Sequence, residues 1–281
     1  MIDLDRLIEQ ANAMAPFPAS TVRLAQMAAD PDCNLTDVAE VIAYDQALTL
    51  KLLRGANSAA SASATPVTSV QEAVSRLGTS RLVALAVASA ARPQLCQQIP
   101  AYGLDEGALW RHSVAAAVAA ETMPNFCGTT VPSEVFTAAL LHDVGKLIMG
   151  RFLSPDDLRF IAEARDVDHL SQLEAEALIL GVHHGELGGL IAQHWDLPPR
   201  VVQGIIYHHN PTEGHDVVCD FTYLANEVAK QIEAGIEEGR GDFAISSEVT
   251  ARLLTSPAQL DTLCTIATGR FAEVSLRYNA V

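Results

Sequence analysis

The amino-acid sequence predicts an all-α protein. Alanine and leucine are abundant, whereas aromatic residues make up only 5% of the chain. Alanine and unbranched side chains lose little conformational freedom in a helix, so this composition favours helices over strands. Apolar residues recur at helical spacing in several segments, and no segment of useful length alternates apolar and polar residues as a strand does.

The N-terminal elements are predicted as several short helices. Asn34 can cap a helix that begins at Leu35, and residues 69–72 have the capping-box pattern that starts another, with Gly78 as its natural end. Pro16 and Pro18 interrupt the first segment, and a further helix starts near Leu82. The best linker candidate is the stretch 92–105, which contains Pro93, Pro100 and Gly103.

The C-terminal elements are also predicted as helices. Their expected spans are 106–123, 133–152, 172–195, 199–209 and 220–237, followed by an acidic exposed loop at 235–241 and one or two helices from Ser246. All nine histidines lie after residue 111. We therefore expect an N-terminal helical subdomain at 1–100 and a second subdomain, richer in chemical groups, at 101–281.

The bulk composition limits the class of protein. With 49% apolar and 19% charged residues, the chain has an ordinary globular composition. A net charge of −16 repels phosphate backbones, so we expect no nucleic-acid partner. The five cysteines lack CxxC spacing and are expected to be free thiols. We find neither a secretion signal nor an apolar stretch of about 20 residues, so a cytoplasmic protein without a membrane partner is expected.

Several histidines fall on apolar helix faces. Helical spacing places His112, His142, His184 and His209 at inward positions, with His208 beside the last of them. A single inward histidine is most often a core residue bonded to a carbonyl group, and separate core histidines are the alternative here. Burying five of them without partners would cost several kcal/mol in total, about 1–3 for each polar group. A divalent metal is an economical common partner. The other four histidines are expected at the surface or in local hydrogen bonds: His169, His183, His194 and His215.

The stretch His142-Asp143-Val144-Gly145-Lys146 is the sharpest single motif. Adjacent His and Asp side chains can both enter one groove between helices, and Lys146 projects from the same side one turn later. Asp143 is expected to bridge cations and Lys146 to hold a phosphate oxygen, so these two are the candidate catalytic residues. The candidate metal ligands are His112, His142, Asp143, His184, His208 and His209.

Residues 140–147 closely resemble the central motif of the HD superfamily of metal-dependent phosphohydrolases. Further blocks over about residues 15–230 resemble the HDOD branch of that superfamily: Asp45-Gln46-Ala47-Leu48, Asn57-Ser58, Ala73 to Gly78, Trp110-Arg111-His112-Ser113, Gly181 to Gly188, Trp195-Asp196-Leu197-Pro198 and Tyr207-His208-His209-Asn210-Pro211. The resemblance implies an HD-domain-like helical bundle with an N-terminal helical subdomain. HDOD proteins are similar to HD-GYP cyclic-dinucleotide phosphodiesterases, but are generally regarded as lacking hydrolytic activity and are implicated in signalling.

The chain keeps the HD-type ligand positions with one departure. Asn226 stands where the HD pattern has a final Asp, and no Gly-Tyr-Pro element follows. An amide oxygen is a weaker ligand than a carboxylate and cannot act as a base. The neutral Asn226 and the absence of a Gly-Tyr-Pro element both argue against cyclic-dinucleotide hydrolysis.

The sequence therefore leaves two functions open. The first is a bacterial HDOD-type signalling protein, with a signalling protein or a small phosphorylated ligand as partner. The alternative is an active metal-dependent phosphohydrolase, acting on phosphate monoesters or diesters. Either would use one or two divalent ions, with Fe, Mn, Ni or Zn as candidates. The oligomeric state stays open.

Overall fold

A computed structural model describes residues 4–30, 32–57, 67–236 and 245–278. Over these ranges the chain forms helices joined by turns, and the one extended pairing is an isolated antiparallel bridge between Ile99 and Leu104. The all-α prediction is confirmed. No helix in the described ranges has the length and apolar character needed to cross a membrane.

The described residues of the N-terminal part form six α-helices: α1 (Leu4–Asn12), α2 (Ala19–Ala28), α3 (Leu35–Ala43), α4 (Gln46–Ala56), α5 (Val70–Leu77) and α6 (Thr79–Leu95). Two of the predicted helix starts have the expected caps. The Asn34 side chain accepts a hydrogen bond from the Asp37 backbone amide, and the Ser69 side chain accepts one from the Glu72 backbone amide. Ser58, which belongs to one of the family-like sequence blocks, lies outside the described residues.

The linker predicted at 92–105 begins later than expected. Helix α6 continues to Leu95 and contains Pro93 in its last turn. Burial of Ala91 and Leu95 in the core favours the extra turn and outweighs the helix penalty of proline, which is about 3 kcal/mol. The connection is therefore short, and it contains a single 3₁₀ turn at Pro100–Tyr102.

The C-terminal part contains α7 (Ala108–Thr122), α8 (Val135–Leu141), α9 (Lys146–Phe152), α10 (Pro155–Asp166), α11 (Gln172–Leu180), α12 (His184–His194), α13 (Pro199–Ile206), α14 (Pro211–Gly214), α15 (Val217–Ile236), α16 (Ser247–Arg252) and α17 (Pro257–Tyr278). Helix α7 packs along α15 and beside α8, and α12 packs against α13. These five helices surround the cluster of histidines. Residues 235 and 236 of the predicted acidic loop end α15, and residues 237–241 lie outside the described ranges.

Two predicted helices are each divided by a turn. The span 133–152 breaks at residues 142–145, and the span 172–195 breaks at residues 181–183. Gly181 ends α11 with a φ of 74°, a left-handed conformation that glycine adopts without strain. The single continuous helix predicted at 172–195 is therefore wrong. In its first part Ala177 is exposed, and Glu176 faces the core.

The N-terminal helices pack directly on the C-terminal part. Helix α1 contacts α12, and the ring of Phe17 stacks on Trp195 at a centroid distance of 4.2 Å. Gln26 donates a hydrogen bond to the Asp196 carbonyl oxygen at 3.1 Å. Buried apolar residues of both parts form one continuous core. The division into subdomains near residue 100 stays a prediction.

Candidate metal centre

Two of the histidines lie within two residues of the ends of helices. His142 follows the last residue of α8, and its Nδ1 donates to the Ala139 carbonyl oxygen at 2.7 Å. His208 lies just after α13, and its Nδ1 donates to the Ile205 carbonyl oxygen, also at 2.7 Å. Carbonyl groups in the last turn of a helix lack helical partners, and each ring satisfies one of them. Because a carbonyl oxygen only accepts, Nδ1 carries the proton in both rings and Nε2 presents a lone pair.

A third histidine begins a helix. His184 is the first residue of α12, and its backbone amide donates to Glu176 Oε2 at 2.9 Å. Its ring Nδ1 donates to the same oxygen at 2.6 Å. Glu176 thus fixes both the start of α12 and the ring of His184, and the ring's Nε2 is again left as an acceptor.

The fourth histidine is held between two long helices. His112 lies within α7, and its Nδ1 is 3.0 Å from Glu233 Oε2 on α15. Its Nε2 is 3.1 Å from Asn226 Oδ1, two turns earlier on the same helix. A carboxylate acts as an acceptor, so Nδ1 carries the proton and Nε2 presents its lone pair toward the neighbouring groups.

These rings converge on the carboxylate of Asp143. Its Oδ2 is 3.4 Å from His142 Nε2 and 3.7 Å from His112 Nε2. Its Oδ1 is 3.4 Å from His184 Nε2 and 3.6 Å from His208 Nε2. His209 completes this second side, with its Nε2 at 3.2 Å from His184 Nε2.

Two groups of ligand atoms result, and Asp143 belongs to both. One comprises His112, His142 and Asp143, and the other Asp143, His184, His208 and His209; within each group the atoms lie within 4.8 Å of one another. Separate core histidines in distant pockets do not describe this arrangement. The buried cluster could hold a metal ion on either side of Asp143.

The hydrogen-bond pattern inside the cluster favours a cation. His112 Nε2 and His142 Nε2 are both acceptors, yet they lie 3.1 Å apart. Among the described residues, the acceptors Asp143 Oδ1 and His208 Nε2 are buried without hydrogen-bond partners. Facing lone pairs and unpaired buried oxygens are unfavourable unless a positive charge lies between them. The donor set therefore fits a divalent ion.

Protonation of the rings is a poor substitute for that cation. Burial lowers the pKa of His142 and lowers that of His208 to about 3. Burial, reinforced by His208 and His184, also lowers the pKa of His209. These three rings are neutral at physiological pH, which is the form that coordinates metals.

Asp143 is ionised despite its burial. Burial alone would raise its pKa, but the neighbouring Lys146 ammonium lowers it, and the pKa is held well below its usual range. Lys146 Nζ donates to Asp143 Oδ2 at 2.6 Å, and the lysine side chain is 19% exposed. Lys146 therefore lies at the edge of the cluster, bound to the shared carboxylate.

A close backbone approach positions this carboxylate. Gly145 follows the turn that carries Asp143, and a Cβ atom there would lie 1.9 Å from the His184 carbonyl oxygen. Any side chain would separate the start of α9 from the start of α12. Glycine thus permits Asp143 and His184 to share one site.

The remaining histidines lie elsewhere. His183 caps α12 by accepting a hydrogen bond from the Glu186 amide, and His169, His194 and His215 are exposed. Two carboxylates of the centre, Glu176 and Glu233, were not predicted. Glu176 lies eight residues before His184, on a segment predicted to continue into the same helix. Glu233 follows Asn226 by seven residues, and this helical spacing is the one signal that could have identified it.

Comparisons with known proteins agree with this architecture. The family model of the HDOD domain matches residues 14–211. A crystal structure of an HDOD domain protein with unknown function from Geobacter sulfurreducens has a TM-score of 0.67 at 22% identity, covering 96% of this chain and 99% of that one.

Two further solved structures share the fold. A Shewanella amazonensis structure named "Putative phosphohydrolase" has a TM-score of 0.67 at 24% identity over 94% of this chain and 96% of that one. A Marinobacter aquaeolei structure named "Putative signal transduction protein" has a TM-score of 0.73 at 22% identity, covering 99% of this chain and 61% of that one. A curated relative, an uncharacterized protein of Treponema pallidum, is 23% identical over 73% of this chain, which spans 39% of its length.

Proposed function

The chain belongs to the HDOD family, and from that membership we propose that it is a signalling protein whose regulatory element is a divalent-metal site centred on Asp143. The proposed ligands are His112 and His142 on one side of that carboxylate and His184, His208 and His209 on the other, with an ion position on each side. The observation that carries the proposal is the convergence of these rings on both oxygens of one buried carboxylate.

The types of ligand in the proposed site restrict the choice of metal ion. Imidazole with a single carboxylate suits Fe, Mn, Ni or Zn better than Mg or Ca, which prefer sites made of oxygen atoms. The proposed site contains five imidazoles and one carboxylate, with the Asn226 amide oxygen beside His112. A first-row transition metal is therefore the proposed cofactor.

The burial of the proposed ligands limits access to the site, which favours a regulatory role over catalytic turnover. The His142, His184 and His208 side chains are fully buried, and His112 is 13% exposed. Asn226 is neutral where a carboxylate could act as a base. Lys146, the cation suited to a phosphate oxygen, is already bound to Asp143. We propose that the bound ions stabilise one arrangement of the helices and that a signalling protein or a small phosphorylated ligand recognises it.

One observation favours the alternative, a metal-dependent phosphohydrolase. Both oxygens of Asp143 face ligand groups, as a carboxylate bridging two ions would require. Two such ions, when bound, would make a water molecule acidic and polarise a phosphate ester. In that case Asp143 would hold the ions, and Lys146 would stabilise charge on the phosphate oxygens. Related folds carry names of both kinds, so fold similarity does not choose between the two functions.

An assay of generic phosphate monoesters and diesters separates these functions. The chain would be purified, depleted of metal and assayed with added manganese, iron or nickel, alongside His142→Ala and Asp143→Ala variants. A regulatory role predicts that the chain binds metal but does not hydrolyse these phosphate esters. Turnover that disappears in both variants would establish the enzyme and contradict the regulatory proposal.

A further inference from the structure

Two carboxylates outside the proposed ligand set each bind the Nδ1 of one histidine. Glu176 binds His184 at 2.6 Å, and Glu233 binds His112 at 3.0 Å. His142 and His208 use backbone carbonyl oxygens instead. Each side of Asp143 therefore has one ring supported by a carboxylate.

Glu176 is fully buried and accepts four hydrogen bonds. Oε2 accepts from the His184 amide and ring, while Oε1 accepts from the Tyr102 hydroxyl and the Gln172 side chain, each at 2.9 Å. Among the described residues no lysine or arginine forms an ion pair with it. A buried carboxylate thus stands directly behind the ring of His184.

Glu233 stands in a different environment. Its side chain is 38% exposed, and it lies two helical turns after Asn226 on the same helix. The two residues contact opposite nitrogens of the His112 ring. Solvent screens the charge of Glu233 more than that of Glu176, so its influence on the ring is weaker.

We propose that Glu176 and Glu233 are positioning residues, each controlling metal affinity on one side of Asp143: Glu176 through His184, and Glu233 through His112. This inference rests on the proposed metal site. A carboxylate behind a ligating histidine fixes the tautomer with the proton on Nδ1 and makes Nε2 a stronger donor to the metal. Loss of such a partner typically weakens metal affinity about 10–100-fold.

The tautomer can be read without any metal. In ¹⁵N-histidine-labelled, metal-free protein, we expect His184 as the Nδ1–H tautomer and expect Glu176→Gln to reduce that population. Glu233→Gln is the matched control, since it removes the same charge behind a different ring and should leave His184 unchanged. An unchanged His184 spectrum in Glu176→Gln would overturn the inference, whether or not the chain binds metal.

Affinity is then measured for each ion position alone. Zn²⁺ would be titrated into His112→Ala, which keeps the side of Asp143 containing His184, and into the double variant His208→Ala/His209→Ala, which keeps the side containing His112. We expect Glu176→Gln to weaken Zn²⁺ binding about 10–100-fold in the first background and little in the second. Glu233→Gln should show the reverse preference with a smaller loss.

The outcomes separate the two proposals. Equal losses in both backgrounds, or none, would overturn the positioning roles while leaving the metal site intact. A wild-type chain that binds no Zn²⁺, Mn²⁺, Fe²⁺ or Ni²⁺ would contradict the proposed function and the control of affinity with it. Apparent melting temperatures of the metal-free variants show whether a loss comes from unfolding.

Discussion

The Nε2 atoms of His112 and His142 lie 3.1 Å apart, although the Nδ1 of each ring is already hydrogen-bonded to Glu233 or to the Ala139 carbonyl oxygen. Each Nε2 therefore presents a lone pair to the other. A shared proton is disfavoured for His142 because burial lowers its pKa. A metal ion between the two rings resolves this conflict.

Asn226→Asp should tighten metal binding by about tenfold or more, because a carboxylate would replace the neutral amide beside His112 and add charge in a buried site. The metal-free variant should be less stable than the wild type, since the new charge lies near Asp143 without a cation. Calorimetric titration with Mn²⁺ or Zn²⁺, with thermal unfolding in chelator, measures both effects. Unchanged affinity would remove Asn226 from the site.

Lys146→Met should increase metal affinity, several-fold at least, because the lysine and the ion compete for Asp143 Oδ2. Any phosphatase activity should fall in the same variant, since the cation at the edge of the site is lost. Lys230→Met is the matched control: Lys230 pairs with Glu227 at 2.6 Å and not with Asp143. An equal increase in both variants would show a general charge effect instead of competition for Asp143.

The metal-free protein should lose stability as the pH falls below about 6.5. Burial lowers the folded-state pKa of His142 and His209, and lowers that of His208 to about 3, from the ordinary 6.5. Between pH 6.5 and the lowered pKa of each ring, the unfolded chain therefore binds more protons than the folded protein. Over that range each ring changes the free energy of unfolding by at most about 1.4 kcal/mol per pH unit. Urea unfolding in the presence of chelator at pH 7.5, 6.5 and 5.5 measures this loss of stability. A free energy of unfolding that does not change with pH would contradict the neutral buried rings.

Gly145→Ala should destabilise the chain by about 3 kcal/mol, because its Cβ would overlap the His184 carbonyl oxygen and force α9 away from α12. Metal affinity should fall with it, since Asp143 and His184 would separate. Gly269→Ala is the control: the position is exposed on α17, and no described atom beyond its own stretch of helix lies within 4 Å of the added Cβ. This variant should stabilise by up to about 1 kcal/mol. Wild-type stability in Gly145→Ala would exclude the close contact.

Local sequence signals predicted much of the fold. The caps at Asn34 and Ser69 are confirmed because side-chain capping depends on neighbouring residues alone. Helix α10 was missed although Ser154 and Asp157 form a capping box at its start. The turns at 142–145 and 181–183 could not be predicted from periodicity, since apolar residues continue at helical spacing through both.

The site was predicted unevenly for a similar reason. The histidines and Asp143 share inward faces or a short motif, so sequence spacing identifies them. Glu176 becomes the partner of His184 only because Gly181 ends α11 and turns the chain back. That pairing depends on tertiary structure, and no pattern of local residues specifies it.

Metal stoichiometry in a matched set of variants tests the central claim most directly. Chelator-stripped wild-type protein, His112→Ala and Asp143→Ala would be titrated with Zn²⁺ and with Mn²⁺, followed by elemental analysis, with circular dichroism to confirm folding. We expect two ions per wild-type chain, one in His112→Ala and none in Asp143→Ala, because Asp143 belongs to both ligand groups. A wild-type chain that binds neither ion, or a folded Asp143→Ala chain that binds both ions as the wild type does, would contradict the account.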